Sequence, residues 1–139
     1  MTRPVIIDTG PLVALLNRRD RWHEWAVRQF GGVVAPLVSC EAVVTEACFL
    51  LRGMSGGTDA VLELVDRGLV EVSFQADAAI ADLRRLMKRY ADVPMAFADA
   101  CLVRMAEERT GSSVMTLDSD FRRYRRLGRQ VIPLIAPAK

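Results

Sequence analysis

The chain has 139 residues, of which 51% are hydrophobic and 26% are charged, so it can bury one core and lacks the composition of a disordered protein. Its 19 basic and 17 acidic residues leave a net charge of +2, which by itself does not indicate nucleic-acid binding. The N-terminal apolar run is interrupted by Asp8, is too short to cross a bilayer and lacks a small-residue cleavage site. We therefore expect one cytoplasmic domain over residues 1–139, with no membrane segment.

The apolar periodicity predicts strands that alternate with helices. A short strand at residues 4–8 runs into Asp-Thr-Gly-Pro, and Pro11 suits the first turn of a helix. The elements predicted after it are helices at 11–17 and 20–30, a strand at 33–36, helices at 39–52 (with Ser39 as a possible cap) and 58–68, a strand at 69–74, helices at 77–90 and 94–111, and a strand at 112–118. The tail predicts a short helix and a last strand. This order implies an α/β/α sandwich around a mainly parallel sheet.

The three cysteines, Cys40, Cys48 and Cys101, show no paired C-x-x-C spacing and are odd in number. Neither a disulfide framework nor a zinc site is therefore predicted. We expect reduced thiols that pack as small apolar side chains.

Two acidic residues directly follow predicted buried strands. Asp8 comes after Val-Ile-Ile, and Asp118 comes after Val-Met-Thr-Leu. Because parallel strands end at the same edge of a sheet, both carboxylates are expected in one crevice. Each of them can also be a simple helix cap.

Two further acidic residues lie on apolar stripes of predicted helices. Glu46 is flanked one turn away by Ala42 and Phe49, and Asp99 has Leu102 one turn after it. A buried, unpartnered carboxylate is costly, so each needs a cation, a hydrogen-bond donor or water. A salt bridge with an arginine is one solution. A shared Mg²⁺ or Mn²⁺ ion is another, and it would serve all four acids.

The segments VIIDTGPLVALL, TEACFLL, FADACLV and VMTLDSDF resemble, in order, the four acidic motifs of PIN domains, and of the VapC toxins in particular. The resemblance extends from about Val5 to Ile135. It implies an α/β/α fold that cleaves RNA with one or two Mg²⁺ or Mn²⁺ ions. It also implies the toxin of a type II toxin–antitoxin pair, a homodimer inhibited by a small VapB-like antitoxin whose peptide crosses the apolar groove between the early helices.

The resemblance assigns metal binding and catalysis to four acids: Asp8, Glu46, Asp99 and Asp118. Asp120 is a less regular fifth metal-binding acid of the pattern and can instead be a helix first-turn charge. Thr116, with Thr9 beside Asp8, is expected to support the carboxylates.

Several other polar groups have more than one interpretation. Four arginines follow Asp118 and can bind RNA phosphates or simply face solvent: Arg122, Arg123, Arg125 and Arg126. The Asp20-x-x-His23 stretch is expected to be structural rather than metal-binding. Trp22 and Trp25 are expected to pack, or to line a partner surface, more than to stack on bases.

Two other functions compete with a nuclease. A catalytically silent RNA-binding or interaction module would keep the fold and the acids but would not cleave RNA. A phosphatase with an aspartyl nucleophile would need Asp-x-Asp after the first strand, whereas Asp8 is followed by Thr9 and Gly10.

Overall fold

The computed structural model describes residues 3–138. The helices are α1 (Thr9–Leu16), α2 (His23–Gly32), α3 (Glu41–Leu50), α4 (Gly57–Asp66), α5 (Ile80–Arg89) and α6 (Phe97–Glu108). The strands are β1 (Val5–Ile7), β2 (Leu37–Ser39), β3 (Val70–Val72), β4 (Ser113–Met115), β5 (Arg125–Arg126), β6 (Gln130–Val131) and β7 (Leu134–Ile135). None of the described helices is long and apolar enough to cross a membrane.

Five of the strands form a central sheet in the order β3-β2-β1-β4-β7, and every neighbouring pair is parallel. Ile6 of β1 pairs with Val38 on one side and Val114 on the other. The predicted parallel α/β architecture is thus confirmed. Because β1 and β4 are neighbours, the residues that follow them emerge side by side at one edge of the sheet.

The hydrophobic core lies on the central strands and on α6. Ile7 of β1 and Met115 of β4 are completely buried, and α6 buries Leu102 and Val103. Helix α6 contacts β1 directly, which brings the start of this helix close to the edge where β1 ends. The three cysteines are free, as expected, and Cys40 and Cys101 are buried.

The second strand lies at Leu37–Ser39, so its prediction at 33–36 was wrong. Pro36 has no N–H to give to a sheet, and the first donor of the segment is Leu37, whose N–H binds the carbonyl of Leu69. Ser39 belongs to this strand and does not cap α3. Its hydroxyl donates to the carbonyl of Ile7 at 2.9 Å, and Cys40 takes the cap position.

The tail folds differently from its prediction. A 3₁₀ turn at Ser119–Arg122 replaces the short helix. The chain then forms an antiparallel hairpin, β5 with β6, before β7 joins the main sheet. Gly128, with a φ of 80°, adopts the left-handed conformation that the turn of this hairpin requires.

Candidate active site

Asp8 is a buried carboxylate held in one orientation. It ends β1 and caps α1, and only 7% of it is exposed. One carboxylate oxygen accepts the N–H of Thr9 and the other accepts the hydroxyl of Thr116, both at 2.7 Å. Burial, together with the charges of Asp99 and Asp118, raises the pKa of Asp8 to about 6 against the lowering effect of these hydrogen bonds. Asp8 is therefore both a helix cap and a member of an acidic cluster.

Thr116 connects two of the acids across the sheet. Its buried hydroxyl donates to Asp8 and accepts the N–H of Asp118 at 2.9 Å. Asp118 is exposed, and its carboxylate accepts the N–H of Asp120 at 2.9 Å, so it also caps the 3₁₀ turn. The supporting role predicted for Thr116 thus has a geometric basis in these two contacts.

Asp99 lies in the first turn of α6 and is half-buried. Its carboxylate accepts the N–H of Ala96 at 3.0 Å and the hydroxyl of Tyr124 at 3.4 Å. Burial raises the pKa of Asp99, and the charges of Asp118 and Glu46 add to that increase. Asp99 therefore interacts electrostatically both with the acid that follows β4 and with the acid on α3.

Glu46 approaches the cluster from α3 with an exposed side chain. The expectation that it lies on a buried apolar stripe was wrong, because Phe49 and Leu50 are 58% and 53% exposed. The buried face of α3 carries Val43 and Ala47 instead. Glu46 thus projects from a solvent-facing side of its helix, beside a groove that also includes Phe49.

These acids are not neutralised by basic side chains. Within residues 3–138, none of the four predicted acids forms an ion pair, so the salt-bridge alternative for Glu46 and Asp99 has no support there. The hydroxyl of Thr9 is also buried there without a hydrogen-bond partner. Oxygen donors with uncompensated negative charge fit a Mg²⁺ or Mn²⁺ ion in donor type.

The site is nevertheless not a preformed metal cage. In the part of the chain that the structure describes, no three carboxylate, imidazole or thiolate groups approach one another closely enough to hold an ion. The two best-held acids, Asp8 and Asp99, have fixed carboxylates, whereas Glu46 and Asp118 are exposed.

The candidate arginines divide into two groups. Arg125 donates to the carbonyls of Arg122 and Tyr124, and Arg126 donates to the carbonyls of Ala106 and Glu107. Arg122 and Arg123 are exposed, and within residues 3–138 their guanidinium groups form no hydrogen bond or ion pair. Only these last two are free to meet a phosphate without breaking a contact.

The PIN domain family model matches residues 5–127, which include all four acids. The chain belongs to the PIN domain family. This fold is generally a nuclease fold, and PIN nucleases typically use divalent metal ions. No curated protein matches this PIN domain significantly.

Tyr124 is the residue near the site of this PIN domain that the sequence did not reveal. It is completely buried and stacks edge-on against Tyr90 and Phe121, with its hydroxyl directed at Asp99. In the sequence it stands within a run of arginines, which draws attention to charge. Spacing alone gave no reason to place it against an acid 25 residues earlier.

The Asp20-x-x-His23 stretch has the structural role that was expected. The carboxylate of Asp20 accepts the N–H of Trp22 at 2.8 Å, and a ring nitrogen of His23 contacts the carbonyl of Ala14 at 2.7 Å. Trp25 is buried in the core, whereas Trp22 is only partly buried.

Proposed function

We propose that this PIN domain is a metal-dependent endoribonuclease that hydrolyses RNA phosphodiester bonds. The observation that supports it most is that Asp8 interacts electrostatically with Asp99 and Asp118, and Asp99 with Glu46, while none of the four forms an ion pair within residues 3–138. Two of these acids are desolvated enough to have raised pKa values. A cluster of this kind favours binding of a cation over the empty state.

Asp8, Glu46, Asp99 and Asp118 would hold one or two Mg²⁺ or Mn²⁺ ions, with Asp120 as an outer acid. When bound, such ions supply positive charge for the transition state and activate water for in-line attack on phosphorus.

The chain's own groups orient the acids. Thr116 and the N–H of Thr9 hold the carboxylate of Asp8, while Tyr124 and the N–H of Ala96 hold that of Asp99. The exposed Glu46 and Asp118 would contribute their carboxylates to the metal ion from the solvent side. Arg122 and Arg123 would attract the flanking phosphates of the strand.

We further propose that the protein is the cytoplasmic toxin of a VapBC-type pair and a homodimer. Its partner would be a small VapB-like antitoxin that lays an apolar peptide beside the acids. An apolar groove of about 800 Å³, lined by Phe49, Phe74 and Phe97, adjoins Glu46 and supports this arrangement. It lies between α3 and α6, whereas the resemblance implied a groove between the early helices.

Cleavage of a mixed, structured RNA by the purified protein tests the nuclease proposal. Mg²⁺, Mn²⁺ and EDTA are compared for the wild type, Asp8→Asn, Asp99→Asn and the control Asp66→Asn, which changes an exposed acid on α4. We expect metal-dependent cleavage by the wild type and the control, and a loss of at least about 100-fold in both site variants. Circular dichroism verifies that each variant is folded.

Two results would contradict the proposal. Equal cleavage by all four proteins would place the activity elsewhere or in a contaminant. RNA binding without any cleavage, by protein that mass spectrometry finds free of a bound antitoxin, would favour the silent RNA-binding module.

A further inference from the structure

A second cleft adjoins the acidic cluster on the side of Asp118. It has a volume of about 400 Å³, within the size range of small-ligand sites. Its lining includes Arg21, Trp22, Leu117, Asp118, Arg122 and Leu134, together with residues 136–138 at the end of the described chain. We name it the Trp22 cleft. It borders the β4–β7 side of the sheet, whereas the apolar groove beside Glu46 borders α3 and α6.

Trp22 is held at this cleft by polar contacts on both sides of it in sequence. The carboxylate of Asp20 binds the N–H of Trp22, and His23 is tied to α1 through the carbonyl of Ala14. The guanidinium of Arg21 lies over the indole, 4.7 Å from the ring centroid. Arg21 and Trp22 therefore form a stacked indole–guanidinium pair at the cleft, in a segment whose backbone these hydrogen bonds order.

The charges at the cleft differ from those at the neighbouring acids. Arg21 and Arg122 are exposed, and neither forms an ion pair within residues 3–138. Within residues 3–138, Asp118 is the one carboxylate among the lining residues, and Leu117 and Leu134 supply apolar surface. The stacked Trp22–Arg21 pair, the apolar wall and the guanidinium of Arg122 are together complementary to a nucleotide, which has a planar base and an anionic phosphate.

We propose that the Trp22 cleft binds one nucleotide of a single-stranded RNA, next to the phosphodiester that the acids receive. The base lies against the Trp22–Arg21 pair and its phosphate contacts Arg122. Because Asp118 belongs to both the cleft and the acidic cluster, this inference rests on the proposed nuclease function. A base stacked within a duplex cannot enter the cleft, so the bound nucleotide must be unpaired.

The test measures binding of a short single-stranded RNA to the Asp8→Asn protein in EDTA by fluorescence anisotropy. Trp22→Leu and Arg122→Gln are added separately to that protein, and Arg84→Gln, which changes an exposed arginine on α5, is the matched control. We expect Trp22→Leu to weaken binding by at least about fivefold, the lower end for loss of one base stack. Arg122→Gln should weaken it severalfold, and Arg84→Gln should leave it unchanged.

A second readout follows the tryptophan itself. Adenosine monophosphate should quench the fluorescence of the parent protein, and Trp22→Phe should abolish most of this change because Trp25 is buried. The same RNA sequence as a duplex should bind more weakly than the single strand.

Equal RNA affinity of the parent, Trp22→Leu and Arg122→Gln proteins would overturn the proposal, as would a duplex that binds as tightly as the single strand. An acidic peptide that quenches Trp22 where the nucleotide does not would also overturn it. Since these measurements use no metal and no turnover, they can still test nucleotide binding in the cleft if the nuclease proposal fails. Conversely, metal-dependent cleavage that is unaffected in Trp22→Leu would overturn only the cleft.

Discussion

Asp8 combines a buried position with a negative charge that no basic side chain in residues 3–138 compensates. Its hydrogen bonds with Thr9 and Thr116 orient the carboxylate but do not offset its desolvation, since its pKa remains raised. A carboxylate in this state destabilises the metal-free protein once it ionises. The buried, uncompensated charge of Asp8 therefore both favours metal binding and lowers the stability of the metal-free protein.

In the metal-free protein, Asp8→Asn should increase the free energy of unfolding at pH 7.5 by about 1–3 kcal/mol. The pKa of Asp8 is raised from 3.8 to about 6 in the folded state, so folding favours the protonated form. The wild type therefore loses stability as the pH rises through this range, and the variant, in which position 8 cannot ionise, loses less. Urea denaturation in EDTA between pH 4 and pH 8 measures the difference.

The gap between the two proteins should close toward pH 4, where Asp8 is protonated in the folded wild type. Asp66→Asn serves as the control, because Asp66 is exposed on α4. A variant that is less stable than the wild type at pH 7.5 would contradict the burial argument.

Tyr124→Phe should weaken Mn²⁺ binding a few-fold, because it removes a hydroxyl that contacts the carboxylate of Asp99 at 3.4 Å. Loss of one hydrogen bond costs about 0.5–1.5 kcal/mol. Tyr90→Phe is the matched control, because Tyr90 belongs to the same aromatic cluster. Its hydroxyl accepts the N–H of Arg125 and does not contact an acid. Calorimetric titration with Mn²⁺ compares them, and equal affinities would show that Tyr124 only fills space.

At the scale of elements, the β5–β6 hairpin depends on the end of α6. Arg126 donates to the carbonyls of Ala106 and Glu107 at 3.1 and 3.3 Å, and the N–H of Leu127 binds the Glu107 carboxylate at 2.7 Å. The last carbonyls of a helix have no partner within it, and a cation there is favourable. The hairpin is thus fastened to the core through α6.

Arg126→Gln should reduce the free energy of unfolding by about 1–2 kcal/mol and leave the RNA affinity of the folded protein unchanged. Arg123→Gln should weaken RNA binding and leave the free energy of unfolding unchanged, because the Arg123 side chain is exposed and has no partner in residues 3–138. Urea denaturation and RNA anisotropy on the same two proteins separate the effects. An affinity loss confined to Arg126→Gln would show that the hairpin arginine binds RNA.

At the scale of the whole molecule, the acidic edge of the sheet makes stability depend on divalent cations. Because a ligand stabilises the state that binds it, Mn²⁺ at about 100 times its dissociation constant should add about 2.7 kcal/mol to the free energy of unfolding. Thermal unfolding should show this increase in the wild type and in Asp66→Asn, and little of it in Asp99→Asn. An equal shift in all three proteins would place the ion outside the acidic cluster.

The fold class was predictable from sequence because its determinants are local, and the same reasoning predicts where two of the proposed site acids lie. Apolar runs separated by helical periods predict a parallel sheet, and an acid directly after a buried strand must lie at the edge of that sheet. Asp8 and Asp118 follow this rule, and the structure brings their charges together. The family match over residues 5–127 includes Glu46 and Asp99 as well.

The sequence by itself thus determined a parallel α/β domain of the PIN family and the order of its acids. Only the tertiary structure decided that Glu46 faces solvent, that Arg126 supports a hairpin while Arg122 stays free, and that Trp22 lines a cleft beside Asp118. The reason is physical: these outcomes depend on contacts between distant segments. Thr116 reaches Asp8 across 108 residues and Tyr124 reaches Asp99 across 25, separations over which neither periodicity nor spacing carries information.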